Sequence, residues 1–207
     1  MASQGPNSPS TASGSVSPNN IKVSDGVYDF WEYSFSGTNA NPLIASNFGF
    51  TIPTGATING IQVDVQKKAN YKLNQAYVRD DTIYLYIWDG SSWIMTASKA
   101  DTVTKWDTTE AYASYGGPTD LWGVTWTAGM LTSINGIYFL VYFRGYVENS
   151  SKTTVRVSVD HIRVTIYYTT AASGGDIKSI SSVVSASISK IGGVSKASIS
   201  KVGGETV

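Results

Sequence analysis

The chain has 207 residues, with 15 Lys and Arg balanced by 15 Asp and Glu, so its formal net charge is zero. That balance supplies none of the one-sided field by which proteins hold phosphate backbones, and nucleic acid is not an expected partner. Cysteine is absent, which excludes a disulfide scaffold and any thiolate metal site. Charged residues make up 14% of the chain, against about 25% in an average protein. Ser, Thr, Gly, Asn and Tyr take up the difference. A surface of small neutral polar groups suits close contact with protein or sugar, because little charge has to be stripped of water. No apolar run reaches the ~20 residues of a membrane span, and no membrane partner is expected. The opening MASQGPNSPSTASGSVSPNN has neither a basic nor an apolar stretch of the kind a secretory signal needs.

Residues 1–20 are rich in Ser, Pro, Asn and Gly and lack periodic apolar positions. Such a segment cannot bury enough surface to offset its ordering entropy, so a flexible arm is expected. Residues 21–170 alternate apolar and polar residues at period two, the mark of strands with one buried face. Phe48, Phe50 and Ile52 share one parity and stop at Pro53. After the turn PTGATING, Ile61, Val63 and Val65 alternate with polar neighbours, as do Ile83, Leu85 and Ile87 with Tyr84, Tyr86 and Trp88. Asp89-Gly90-Ser91-Ser92 then predicts a hairpin turn into Trp93-Ile94-Met95. The spacing leaves only a short turn near Thr109–Ser114 as a helical candidate.

Ile137, Phe139, Val141 and Phe143 form a further strand whose second face is also aromatic, so both faces are expected to be covered. In the last strand, Val155, Val157 and Val159 hold one parity and Ile162, Val164 and Ile166 the other. A β-bulge at Asp160-His161 would keep both triplets on the core. The predicted fold is all-β: a jelly-roll-like antiparallel β-sandwich.

A linker at 171–176 leads into an internal repeat over 177–207. At a period of eleven it reads IKSISSVVSAS, ISKIGGVSKAS, ISKVGGETV. The pairs Ser181-Ser182, Gly192-Gly193 and Gly203-Gly204 fall at one phase. An eleven-residue period can specify a right-handed helical supercoil, but a Gly pair costs a helix about 2 kcal/mol. Two-residue turns joining nine-residue strands fit better. The candidate assembly positions are Ile177, Ile180, Val183, Ile188, Ile191, Val194, Ile199 and Val202, with Val194 and Val202 on one side of the strand and Ile199 on the other. A sheet this thin needs a partner to complete it.

Titratable chemistry is sparse. His161 is the sole histidine; it could pair with Asp160 or Asp64 and a serine, but no nucleophile elbow is present, and a satisfied, partly buried strand residue is expected. Asp80-Asp81 and the group Asp25, Asp29 and Glu32 lack the spacing of a calcium loop. No metal, cofactor or catalytic residue is predicted, and the chain is expected not to be an enzyme. Six tryptophans remain. Trp122 and Trp126, in YGGPTDLWGVTWTAGML, are read as core fillers. Trp88 and Trp93, with Tyr84 and Tyr86, are the candidates for a glycan or protein contact.

The runs NFGFTIPTGATINGIQVDVQKKAN, YGGPTDLWGVTWTAGML and SVDHIRVTIYYTT, in that order, resemble a β-sandwich domain recurrent in structural proteins of tailed bacteriophages and prophages. The ISKIGGVSKASISKVGG repeat is similar to short repeats at the ends of phage fibre-like proteins. The resemblance implies a virion building block made in the host cytoplasm: a decoration, fibre-base or tail-associated protein. Its partners would be other virion proteins and itself, as a trimer or lattice. It also implies that Asp120–Gly123 belongs to the framework of the domain. The alternative is a receptor-recognition module that binds a host-surface glycan.

Overall fold

The computed structural model describes residues 1–14, 16–34, 38–150 and 153–170, together with four two-residue strands beyond residue 189. In the first unit, Met1–Thr170, the strands are β1 (Ala2–Asn7), β2 (Thr11–Ser13), β3 (Asp29–Tyr33), β4 (Thr38–Asn39), β5 (Leu43–Ser46), β6 (Thr57–Ala69), β7 (Ala76–Trp88), β8 (Trp93–Met95), β9 (Ala111–Gly116), β10 (Phe139–Asn149) and β11 (Val155–Thr169). They form two sheets. One runs β1-β11-β6-β9 with β3 also against β11; the other runs β2-β5-β10-β7-β8 with β4 against β10. All of these pairings are antiparallel. The chain is an antiparallel β-sandwich.

Period-two alternation does what it predicts in the long strands. Ile61, Val63 and Val65 of β6 and Ile83, Leu85 and Ile87 of β7 are fully buried and share one core. In β11 the pairing with β6 shifts between Val159 and His161. That bulge lets all of Val155, Val157, Val159, Ile162, Val164 and Ile166 reach the interior.

Four expectations are corrected. Residues 1–14 are not a free arm: β1 pairs with β11, from Ala2 opposite Tyr168 to Asn7 opposite Val164, and β2 pairs with β5. The segment crosses from one sheet to the other and closes an edge of the sandwich. Its stabilisation comes from backbone pairing and from side-chain amides, which leave no apolar periodicity to read. Asn7 Nδ2 donates to Phe48 O at 2.9 Å, and Gln4 and Thr51 exchange two hydrogen bonds, each 2.9 Å.

Phe48, Phe50 and Ile52 are buried, but on irregular chain rather than a strand. The helix lies at α1 (Ala128–Ile134), capped by the Thr127 side chain, which accepts from Met130 N, whereas Thr109–Ser114 runs into β9. Seven residues give two turns of pattern, too few to separate from background. Finally, β10 begins at Phe139, Ile137 is 56% exposed, and the second face of the strand is only half-buried.

Two buried carboxyls set a pH dependence. Burial pushes Asp160 above its ordinary value; the Gly26 N–H opposes this, and the neighbouring Glu110 carboxyl adds to it. Burial likewise raises Asp29, against the Ser17 N–H. The folded state therefore holds these protons to higher pH than the unfolded chain, and stability falls as pH rises from the ordinary carboxyl value through the raised ones. Asp160→Asn is expected to melt higher than wild type at neutral pH, with the gap closing below about pH 4. Thermal melts across pH check this; a gap independent of pH would contradict it.

In the second unit, Ala171–Val207, β12 (Lys190–Ile191) pairs with β13 (Val194–Ser195), and β14 (Lys201–Val202) with β15 (Glu205–Thr206). Both pairings are antiparallel, and in the sequence the Gly192-Gly193 and Gly203-Gly204 pairs stand between the paired strands. Ile191, Val194 and Val202 lie in these strands. Ile177, Ile180, Val183, Ile188 and Ile199, and the nine-residue strand length, lie outside the described residues.

Candidate functional site

The outer face of the second sheet gathers the predicted aromatic residues. On β7, Ile83, Leu85 and Ile87 point inward, so Tyr84, Tyr86 and Trp88 point outward. The turn that begins at Asp89 returns the chain so that Trp93 pairs with Trp88 and Met95 with Tyr86. Its fold is set by Asp89, whose Oδ1 accepts from the backbone N–H of Ser91 and of Ser92 at 2.7 Å each. Those two N–H groups, Ser92 first, hold the Asp89 carboxyl down at about 2. The predicted four, Tyr84, Tyr86, Trp88 and Trp93, thus share one surface.

Sequence reasoning missed its other half. Tyr142 on β10 lies opposite Tyr84, and Tyr138 packs edge-on to Trp93 with centroids 6.1 Å apart. The available signal was the aromatic second parity of the β10 segment, Tyr138 and Tyr142, which the sequence reading assigned to a covered face.

The geometry of the rings decides what this face can do. Tyr84 and Tyr142 are parallel within 7° at 4.6 Å, and Tyr86 and Trp93 within 9° at 5.0 Å. Those separations match the ~4.8 Å between neighbouring strands. Rings stacked across strands at that spacing stand upright on the sheet, so each gives one face to its partner and turns its edge to water. Trp88 meets Trp93, and Tyr86 meets Tyr84, edge to face. The result is a ribbed aromatic patch, with Tyr86 37%, Trp93 38%, Tyr138 52% and Met95 60% exposed.

One end of the patch is polar. Arg144, beside Tyr142 on β10, is fastened to Asp81, its Nε and Nη2 each 2.6 Å from Oδ2. Arg79 lies over the Tyr146 ring at 4.1 Å.

The remaining candidates do not converge. Asp80 is buried while Asp81 faces Arg144, so the pair serves opposite sides of its strand. Among the described residues no group of three acidic or histidine side chains is placed to hold a metal ion. His161 is clamped between two hydroxyls, Ser8 Oγ on Nε2 and Tyr112 on Nδ1, both at 2.8 Å. Burial lowers its pKa, as does the Arg163 charge, against the opposing pull of Asp64. The clamp ties the N-terminal segment to the β11 bulge. Trp122 is fully buried, and Trp126 half-buried with its Nε1 donating to Leu121 O at 3.1 Å.

No family model and no curated protein matches the sequence. Seven solved chains do match. Among them is CBM32-1 from a family 31 glycoside hydrolase of Clostridium perfringens, 15% identical, with 76% of this chain and 96% of that one covered, at a TM-score of 0.33. A likeness of that degree does not extend to function.

Proposed function

We propose that this chain is a non-enzymatic structural module of a bacteriophage particle, a decoration, fibre-base or tail-associated protein that assembles with copies of itself through residues 177–207. The observation that carries this reading is the pair of antiparallel strand pairings, Lys190–Ile191 with Val194–Ser195 and Lys201–Val202 with Glu205–Thr206, repeated eleven residues apart. An isolated two-stranded pairing is marginally stable at best in water and gains stability from further strands. Neighbouring copies would supply those strands by edge addition. The sparse charge of the chain lowers the desolvation cost of such contacts. Deleting residues 177–207 is expected to reduce a trimer or larger assembly to monomer in light scattering of the purified protein. An unchanged mass in solution would remove the assembly role.

A second reading is favoured by the exposed aromatic patch: a receptor-recognition module that holds a host-surface glycan against Trp93, Tyr86 and Tyr138. It ranks lower because upright, paired rings offer a sugar fewer free faces than a flat platform would. On a glycan array, binding that is lost in Trp93→Ala supports this reading. A silent array, with the variant behaving as wild type, removes it.

A further inference from the structure

Lys67 of β6 and Asp80 of β7 form an ion pair that joins the two sheets through the interior. Their side chains are 10% and 2% exposed. Around them stands a set of groups with no evident role in the contacts described above. Trp106 Nε1 donates to Asp80 Oδ1 at 2.8 Å, and the Tyr115 hydroxyl donates to Oδ2 at 2.7 Å. The backbone N–H of Asp101 also reaches Oδ2, at 3.2 Å. Lys67 Nζ donates to that same Tyr115 hydroxyl. It lies 4.5 Å from the Trp106 ring centroid, 5.2 Å from that of Tyr115 and 5.4 Å from that of Phe143.

We propose that Lys67 and Asp80 condense into an intramolecular amide that covalently staples the two sheets of the sandwich. The ammonium of the ion pair first passes one proton through the Tyr115 hydroxyl to Oδ2, giving amine and carboxylic acid. Nζ then attacks Cγ, the Nζ–Cγ bond forms and the Cγ–Oδ2 bond breaks. A second proton leaves Nζ through the Tyr115 hydroxyl, which accepts from Nζ and donates to Oδ2, so that Oδ2 departs as water. The third proton stays on the amide nitrogen. Nothing is oxidised or reduced, and no co-reactant is needed.

The surrounding groups match these roles. Trp106 Nε1 sits on Oδ1, the oxygen that remains, where negative charge builds as the tetrahedral centre forms. The aromatic cage keeps the amine out of water, and burial lowers the Lys67 pKa against the opposing pull of Asp80. Both reacting groups sit on strands of a folded core, which replaces a bimolecular encounter by a fixed contact. A neutral amide also relieves the desolvation cost that two buried charges carry. A cavity of about 380 Å³ is lined by Lys67, Asp80, Trp106 and Tyr115 and gives the released water a way out.

The other described ion pairs lack one element or another. Arg144–Asp81, Arg156–Glu32 and Arg163–Asp64 offer a guanidinium, which stays protonated and is no nucleophile. Lys72–Asp107 and Lys99–Asp120 are open to water, with side chains 42% and 68%, and 34% and 31%, exposed.

The test is the mass of the folded full-length protein, measured after denaturation and mapped by proteolysis. Wild type is expected to be lighter than its sequence by one water, once any loss of Met1 is counted, with the peptide holding Lys67 joined to the peptide holding Asp80. Lys67→Arg, which keeps the charge but cannot form the bond, is expected to show the full mass of its sequence. Tyr115→Phe removes only the proton relay and is expected to accumulate unlinked chains when freshly synthesised. A wild-type chain of full mass with Lys67 and Asp80 in separate peptides overturns the proposal and leaves an ordinary ion pair. Loss of water mapped instead to an Asp-Gly step such as Asp89-Gly90 overturns it equally.

Discussion

Trp122→Ala is expected to cost the sandwich about 3–5 kcal/mol, the usual range for deleting a fully buried large aromatic side chain. The indole has no exposed surface, and its Nε1 donates to Ile61 O at 2.9 Å. That carbonyl also accepts from Gly117 N at 3.0 Å, while Ile61 N donates to Asp120 O at 3.0 Å. Asp120 in turn holds the Trp122 backbone, accepting from its N–H on Oδ1 at 2.8 Å. The segment YGGPTDLWG thus folds over the start of β6 and plugs it with the ring. Two glycines are the condition for this closure. A Cβ on Gly116 would stand 2.3 Å from Ile61 O and 2.6 Å from Trp122 Nε1, and one on Gly60 would stand 2.3 Å from Gly117 O.

Trp126, four residues on, is half-buried and makes a single bond to Leu121 O. Trp126→Ala is therefore the matched control, and a smaller loss is expected from it. Denaturant midpoints of the two variants at constant slope decide the matter. Equal losses would mean that the ring is no plug.

What the sequence discloses follows from which forces leave a period in it. Burial against one face of a strand repeats every two residues, so Ile61 to Val65, Ile83 to Ile87 and even the bulge at Asp160-His161 are readable. Turn chemistry is local too, and Asp89-Gly90-Ser91-Ser92 could be placed from its residue types. Backbone pairing is blind to side chains. The strand Ala2–Asn7 is held to β11 by its amides, and nothing in ASQGPN announces that. The aromatic patch was half readable: Tyr84, Tyr86, Trp88 and Trp93 lie together in one hairpin, whereas Tyr138 and Tyr142 join them only because β10 pairs with β7. The Lys67 cluster was invisible for the same reason. Its members come from β6, β7, β9, β10 and the chain before β9, and each alone resembles an ordinary surface or core residue.

Measured against the ion-paired chain before any amide has formed, Asp80→Ala is expected to cost about 3–5 kcal/mol at neutral pH, the range for stranding one member of a buried charge pair. The loss has a local origin that can be followed group by group. Lys67 would keep its ammonium inside the aromatic cage without the carboxylate it pairs with. Trp106 Nε1 and the Tyr115 hydroxyl, which donate to Asp80 at 2.8 and 2.7 Å, would lose their acceptor; each buried donor left unpaired costs about 1–3 kcal/mol where water cannot reach it.

The stranded lysine also gives the variant a pH signature. Burial already lowers the Lys67 pKa from its ordinary 10.5 in the unlinked protein, and with Asp80 gone the larger of the attractions that oppose this is removed, leaving that of Asp101. Between the lowered value and the ordinary one, the folded variant binds fewer protons than the unfolded chain, so its stability rises with pH across that window. Melting temperatures of Asp80→Ala are accordingly expected to climb as pH approaches about 10, the ordinary range for lysine. Adding Lys67→Met removes the charge and is expected to recover part of the loss at neutral pH, the unpaired Trp106 and Tyr115 donors accounting for what stays lost. A pH-independent deficit, or no recovery in the double variant, would mean that the lysine of the variant reaches solvent and that the cluster contributes packing alone.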